Sequence, residues 1–360
     1  MKAKTVLFES WRGKYSDNPR AISELLATMR PDLRLIWVAG DSTELPDGVE
    51  RVRRHSPEYF ARLFSCSYLV SNDIVSKHMI KGPGVTYLQT WHGTPLKTIG
   101  FDEAHLTYAG AAAHQKRMVR DVSKWDYLLS PGPSSSDVLR RAFRYNGTLL
   151  ESGYPRNDVL QSAEAPRIRA RVRQNLGLKP DNLVVLYAPT WRDDSVGADG
   201  KYQDPQALDF ELLARSVPPG TVILNRMHSV VKSAPVAAPA GFTLDVSNYP
   251  DIAELYLAAD VLVSDYSSTV FDFAVTGKPI VLFAYDLALY RDKVRGLYYD
   301  YDEWAPGAIV TDTEALGAAL TNLDQGHRTH APQYQAFVQR FCPNDDGQAS
   351  RRVIERVFNR

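Results

Sequence analysis

Short apolar runs alternate with amphipathic stretches along nearly the whole chain. Val6–Phe8 is followed by a polar loop to Asp17. Ile22, Leu25, Leu26 and Met29 then fall at i, i+3, i+4 and i+7, the single buried stripe of a helix. Asn18 followed by Pro19 predicts where that helix starts, because an amide oxygen can cap free N–H groups and a proline ring presets φ for the first turn. Leu33–Val38, Tyr68–Ser71, Thr86–Thr90, Asp126–Ser130 and Thr148–Glu151 predict strands, with helices opening at Ser56-Pro57 and running from Ser134 to about Phe143.

The second half repeats the rhythm. Ala165–Leu176 carries Ile168, Val172 and Leu176 on one helical face, and Arg167, Arg169, Arg171 and Arg173 around it are expected to form a solvated face. Leu183–Tyr187, Thr221–Asn225, Val261–Ser264 and Ile280–Ala284 predict strands. Leu208–Ser216, Asp251–Ala259, Ser267–Thr276, Glu314–Leu323, Gln333–Phe341 and Ala349–Phe358 predict helices. Alternation of this kind predicts the α/β class, with parallel sheets covered on both faces. The expected organisation is two Rossmann-like doubly wound domains, residues 1–160 and 161–360, with the terminal helices of the second packing back toward the first and a ligand cleft between them.

Composition narrows the class without changing the architecture. The chain has 360 residues, 44% hydrophobic and 23% charged, which excludes disordered and fibrous classes. Lys plus Arg (42) equals Asp plus Glu (42), so no basic excess calls for nucleic acid. Cys66 and Cys342 are the only cysteines, which excludes a disulfide scaffold and points to a reducing cytoplasm. The opening MKAKTVLFESWRGK does not read as a signal peptide, and no apolar run approaches the ~18 residues of a membrane span, so a soluble or peripherally attached protein is expected.

No G-x-G-x-x-G follows a strand, and the P-loop, C-x-x-C and H-E-x-x-H patterns are absent, so no dedicated cofactor or metal site is expected. Polar clusters stand instead at the C-terminal ends of predicted strands, where doubly wound sheets bind ligands. Gln89–Lys97 places His92 between a strand end and a Gly-Thr-Pro turn, as a general base toward a cleft or as a packed, capping histidine. Asp265 to Thr269 sets Ser267, Ser268 and Thr269 at a helix start, where free amides and hydroxyls favour phosphate, or where one hydroxyl simply caps. Arg226 and His228 follow a third strand, and Thr190 and Arg192 a fourth. Gly153–Asp158 reads as a rigid turn, with Asn157 or Asp158 capping the next helix.

Five stretches, FESWRGKYSDNPRAISELL, TWHGTPLKTIGFD, GYPRND, YAPTWRDD and SDYSSTVFDFAVTGKPIVLFAYD, resemble the CDP-glycerol glycerophosphotransferase family of teichoic acid synthesis. The resemblance runs from about residue 5 to the C-terminus. It implies a GT-B fold with an acceptor domain followed by a CDP-binding domain. It also implies catalytic roles for His92, as base, and for His228 near the pyrophosphate. Thr190, Arg192, Asp265, Ser267 and Ser268 match positions around the donor, and the shorter priming members of the family are the more similar in form.

The activity so implied is transfer of glycerol phosphate from CDP-glycerol to a hydroxyl of a lipid-linked saccharide or polyol-phosphate acceptor. The alternatives are a GT-B enzyme using CDP-ribitol or a nucleotide sugar, or a non-catalytic scaffold of a polymer-assembly complex. A lipid-linked acceptor implies peripheral contact with the inner face of the cell membrane. Tyr108, Lys116, Arg117, Arg120, Lys124 and Trp125 are the candidate contacts, or an ordinary solvated helix.

Overall fold

The computed structural model describes residues 4–103, 111–190, 192, 202–203, 207–227, 231–232, 237–290 and 296–359. They divide into two compact units. The first comprises the chain through Pro95, then Ile99–Val159 and the segment from Pro343 onward. The second comprises Leu96–Thr98 and Leu160–Cys342.

In the first unit β1 (Thr5–Glu9), β2 (Arg34–Val38), β3 (Glu50–Val52), β4 (Tyr68–Ser71), β5 (Thr86–Gln89), β6 (Tyr127–Ser130) and β7 (Thr148–Glu151) form one parallel sheet. Its order is β3-β2-β1-β4-β5-β6-β7. The order reverses between β1 and β4, so this sheet's switch point lies where those two strands end. The central strands are buried on both faces, which is why YLVS and VLFE read as continuous rather than alternating runs.

Helices α1 (Asp17–Met29), α2 (Pro57–Ser65), α3 (Ala111–Val122) and α4 (Pro133–Phe143) belong to this unit. Ser56 caps α2 by accepting from the Tyr59 amide, as the Ser-Pro pair predicts. The start of α1 differs from expectation: the helix begins at Asp17 with Ser16 in the cap position. Asn18 lies inside the first turn, fully buried, and its amide is directed to other parts of the chain.

The second unit carries β8 (Val184–Tyr187), the short β9 (Tyr202–Gln203), β10 (Val222–Asn225), β11 (Val231–Lys232), β12 (Thr243–Asp245), β13 (Val261–Ser264), β14 (Ile280–Phe283) and β15 (Ala308–Val310). Six of these form a parallel sheet ordered β12-β10-β8-β13-β14-β15, while β9 and β11 pair separately. Its switch point lies between β8 and β13.

Around these strands stand α5 (Ala165–Asn175), α6 (Phe210–Ser216), α7 (Ile252–Ala258), α8 (Thr269–Ala274), α9 (Leu287–Leu289), α10 (Tyr301–Trp304), α11 (Thr313–Thr321), α12 (Leu323–Thr329) and α13 (Ala331–Phe341). The arginines of α5 do not form one solvated face. Arg169 donates to the carbonyls of Leu257, Ala258 and Ala259 and to Asp260, and buried Arg173 donates to Asp260, Lys179 and Asn182. Lys278 Nζ reaches the same end of α7, at the carbonyls of Tyr256, Leu257 and Ala259. The unpaired carbonyls of a helix C-terminus attract cations, and only exposed Arg167 and Arg171 behave as surface groups.

The last helix, α14 (Ala349–Val357), clusters with the first unit and packs against α1. Val353, Ile354, Val357 and Phe358 join Val6, Phe8, Ile22, Leu26 and Trp37 in one apolar core. Asp158 accepts from the amides of Ala349 (2.9 Å) and Ser350 (2.8 Å), so it caps this distant helix rather than the one following it in sequence. Gly153, at φ +77°, lies so close to Asn344 that an added Cβ would stand 2.3 Å from its carbonyl oxygen.

Candidate active site

Two polar clusters occupy the C-terminal ends of the two sheets, and each is built within its own unit. In the first, Asn72 follows β4 and His92 follows β5. His92 Nδ1 lies 2.6 Å from the Asn72 carbonyl oxygen. A carbonyl only accepts, so the proton of the neutral ring sits on Nδ1 and the Nε2 lone pair is left to take another. Burial lowers the His92 pKa below its ordinary value, with Arg156 adding to the effect, while the Asn72 contact, Asp73 and Asp17 oppose it. The ring is therefore neutral at pH 7.

The imidazole stacks on Trp91, centroids 4.0 Å apart, and lies 4.6 Å from the Trp11 ring. Trp11 donates its backbone N–H to Asn72 Oδ1 (3.1 Å) and its indole N–H to Asp17 Oδ2 (3.0 Å). Trp11, Arg12, Asp17 and Trp91 all have positive φ, from 45° to 63°. Four side-chain-bearing residues in this sparsely allowed region, gathered about one imidazole, mark a site whose geometry is imposed by its surroundings.

The second cluster stands where β8 and β13 end. Asp265, almost fully buried, accepts from the amides of Thr190 (2.8 Å) and Tyr266 (2.6 Å) and lies 2.9 Å from Arg192 Nη1. Arg192 is 3% exposed. It also donates to both oxygens of Asp286 (2.7 and 3.0 Å) and to the Thr190 carbonyl (2.6 Å). Burial works against its charge, but the two carboxylates outweigh burial and hold its pKa above the usual arginine value. Tyr266, Tyr285 and Tyr290 surround the guanidinium at 5.1–5.2 Å.

The remaining expected donor residues have distinct fates. Thr190 Oγ1 is buried without a hydrogen-bond partner among the described residues, and so is Asn225 Oδ1 at the end of neighbouring β10, a residue that the strand-end reasoning passed over. Ser267 Oγ lies 2.8 Å from Thr269 Oγ1 and accepts from the Thr269 amide. Ser268 is the cap residue of α8 yet makes no capping bond with its side chain. The helix is six residues long, shorter than the 267–276 expected. Arg226 donates from Nη1 to the carbonyls of Val246 and Tyr249, pinning the turn after β12. His228 lies outside the described residues, as does Tyr108.

Two doubly wound parallel units, each with its polar cluster at a sheet switch point, make this an α/β protein of the GT-B class. The family model described as CDP-Glycerol:Poly(glycerophosphate) glycerophosphotransferase matches residues 1–359, and the chain belongs to that family. It is 39% identical over 362 residues to a teichoic acid glycerol-phosphate transferase of Staphylococcus aureus (strain NCTC 8325 / PS 47), covering 98% of this chain and 92% of that one. It is 36% identical to a teichoic acid poly(glycerol phosphate) polymerase of Bacillus subtilis (strain 168), covering 99% of this chain and 49% of the polymerase, and so spans about half the polymerase's length. The solved structure of the wall teichoic acid polymerase TagF is similar at a TM-score of 0.92 and 37% identity, covering 99% of this chain and 89% of that chain.

Proposed function

We propose that the chain transfers glycerol phosphate from CDP-glycerol to an acceptor hydroxyl, releasing CMP. The acceptor is a lipid-linked saccharide or the end of a polyol-phosphate chain. The hydroxyl oxygen bonds to the phosphorus that carries glycerol, the bond from that phosphorus to the CMP oxygen breaks, and His92 Nε2 takes the hydroxyl proton. The second unit serves the donor. Thr190, Asn225 and Ser268 supply polar groups there, while Arg192 holds the Asp265 and Asp286 loops rather than offering free donors. His228 carries the charge-offsetting role near the pyrophosphate that the family resemblance assigns to it.

The single observation that carries this reading is the contact of His92 Nδ1 with the Asn72 carbonyl oxygen, an acceptor that puts the ring proton on Nδ1. The residue matched to the family's base thereby leaves the Nε2 lone pair to accept a proton, and burial lowers its pKa in favour of the neutral ring. The test is a donor screen: purified protein with a lipid-linked acceptor analogue is given CDP-glycerol, CDP-ribitol or UDP- and GDP-sugars, and nucleotide release is measured. CMP released from CDP-glycerol alone, with a product heavier by one glycerol phosphate, supports the reading. Release from a nucleotide sugar instead refutes it.

The exposed surface of the first unit suits an acceptor held at an anionic lipid surface. Phe64 and Ile80 are 52% and 70% exposed. Lys81 and Lys124 tie the loop bearing Ile80 to the end of α3 through the Lys124 and Met79 carbonyls. Lys116, Arg117 and Arg120 stand exposed on α3. Trp125, expected among the lipid contacts, is instead buried, and its indole N–H donates to Asp121 (2.9 Å). Among the described residues no helix is long and apolar enough to cross a membrane.

A further inference from the structure

The Gly-Tyr-Pro-Arg-Asn-Asp turn reads in sequence as a hinge or cap, yet one of its side chains is engaged elsewhere. Arg156 Nη1 donates to the backbone carbonyl of His92 (2.9 Å) and to Asp17 Oδ1 (3.1 Å). The Arg156 amide donates to Asn18 Oδ1 (3.1 Å), and Asn18 Nδ2 donates to the carbonyl of Trp91 (3.2 Å). Two successive carbonyls, those of the peptides on either side of the His92 Cα, are thus held by side chains from distant segments of the same unit. Trp91 itself is at φ +52°, and its amide donates to Gln89 Oε1 (2.9 Å).

The contacts close on themselves. His92 bonds to Asn72, Asn72 accepts from Trp11, Trp11 donates to Asp17, Asp17 pairs with Arg156, and Arg156 returns to His92. We infer that Arg156 and Asn18 are positioning residues for His92, fixing the direction of its Nε2 by clamping the backbone of a strained dipeptide. This inference rests on the reading of His92 as the base. A left-handed tryptophan is not held by its own preference, so without the clamp the peptide relaxes and the imidazole swings from its bearing on Asn72. A misplacement of about 1 Å at a reacting group can cost on the order of 100-fold in rate.

The charged groups facing the imidazole are Asp73 after β4, paired with Arg12 at 3.3 Å, Asp17 on α1, and Arg156. Arg156 is the cation among them that depresses the imidazole's proton affinity, so its removal moves the His92 titration upward.

The experiment compares Arg156→Met, Arg156→Lys, Asn18→Asp and His92→Gln in the full chain. It follows kcat and the CDP-glycerol KM against pH, together with the His92 ring signals in histidine-labelled protein by NMR. Arg156→Met is expected to lose about 10- to 100-fold in kcat with the donor KM within about two-fold, and to raise the His92 titration midpoint. Arg156→Lys is expected to restore the midpoint but only part of kcat, because an ammonium lacks the planar fork. Asn18→Asp keeps the acceptor for the Arg156 amide and loses the donor to Trp91, and is expected to lower kcat. An unmoved titration together with kcat falling only as the folded fraction falls would overturn the inference. A His92→Gln protein with near-native rate would instead overturn the base reading, while the NMR titration still reports whether Arg156 positions the ring.

Discussion

Arg192 and Asp286 meet through two parallel hydrogen bonds, at 2.7 and 3.0 Å, with the arginine side chain 4% and the aspartate 12% exposed. The same guanidinium lies 2.9 Å from Asp265, so one buried cation serves two carboxylates. Removing it leaves both charges uncompensated in a low-dielectric setting. Arg192→Met is therefore expected to destabilise the ligand-free protein by about 3–5 kcal/mol, measured by urea denaturation. A variant of native stability with weakened CMP binding would make Arg192 a donor contact instead.

His92→Ala is expected to lower kcat by about 10²–10⁴ while leaving CMP affinity near native. The sign of its pH dependence follows from the depressed pKa: the neutral, competent form persists to lower pH than for an ordinary imidazole. The acidic limb of the wild-type rate profile should accordingly lie below pH ~6.5, with a plateau above it. A limb above that value would contradict the half-buried, Asn72-bonded imidazole.

Asp121 is a buried carboxylate that accepts from Tyr87 Oη (3.0 Å) and Trp125 Nε1 (2.9 Å), and burial raises its pKa to about 6. The folded state then binds this proton more tightly than the unfolded chain. The resulting stability is complete below about pH 4 and is lost as the pH rises through about 6, amounting to on the order of 3 kcal/mol. Asp121→Asn keeps an oxygen for both donors and carries no charge. Its stability relative to wild type should rise between pH 4 and 7 in thermal melts; a pH-independent difference would show that Asp121 titrates normally.

Ser267 and Ser268 separate a local structural bond from a ligand contact. Ser267→Ala removes the acceptor of the Thr269 amide and should cost about 0.5–1.5 kcal/mol of stability, the net worth of one hydrogen bond. Ser268→Ala breaks no capping bond, so its Tm should stay native while the donor KM rises. A native KM would remove Ser268 from the donor site.

Ile80→Glu paired with Phe64→Glu should reduce co-sedimentation with phosphatidylglycerol vesicles without altering the fold. Binding of the parent protein should weaken as salt is raised, because attraction of exposed cations to anionic lipid is screened within about 10 Å at 0.1 M ionic strength. Failure of the parent to sediment at low salt would remove the lipid surface.

The sheets were legible in the sequence because parallel strands buried on both faces are continuous apolar runs. Tyr68–Ser71 and Val261–Ser264 match residue for residue. Glu50–Val52, Thr243–Asp245 and Ala308–Val310 were not legible: three-residue strands at or beside sheet edges carry too few apolar positions to register. His92 was visible because a strand end followed by Gly-Thr-Pro is a local signal. Asn18 and Arg156 escaped because they act on backbone carbonyls far away in sequence, and a carbonyl has no letter in the sequence. Arg169 and Arg173 were misread for a related reason: helical periodicity says which cations share a face, not that another helix ends against it.

The core shared by Val6, Phe8 and Trp37 with Val353, Ile354 and Val357 has a consequence for synthesis. Of the two units, the one whose first strands are synthesised earlier is completed later, because its last helix follows the whole of the other. By the time Cys342 has emerged, the second unit has every residue it needs, while the face of β1 and β2 still waits for α14. A fragment ending at Val159 would leave that apolar face open to water. One in which Pro343–Asn359 is joined back through a linker would close it.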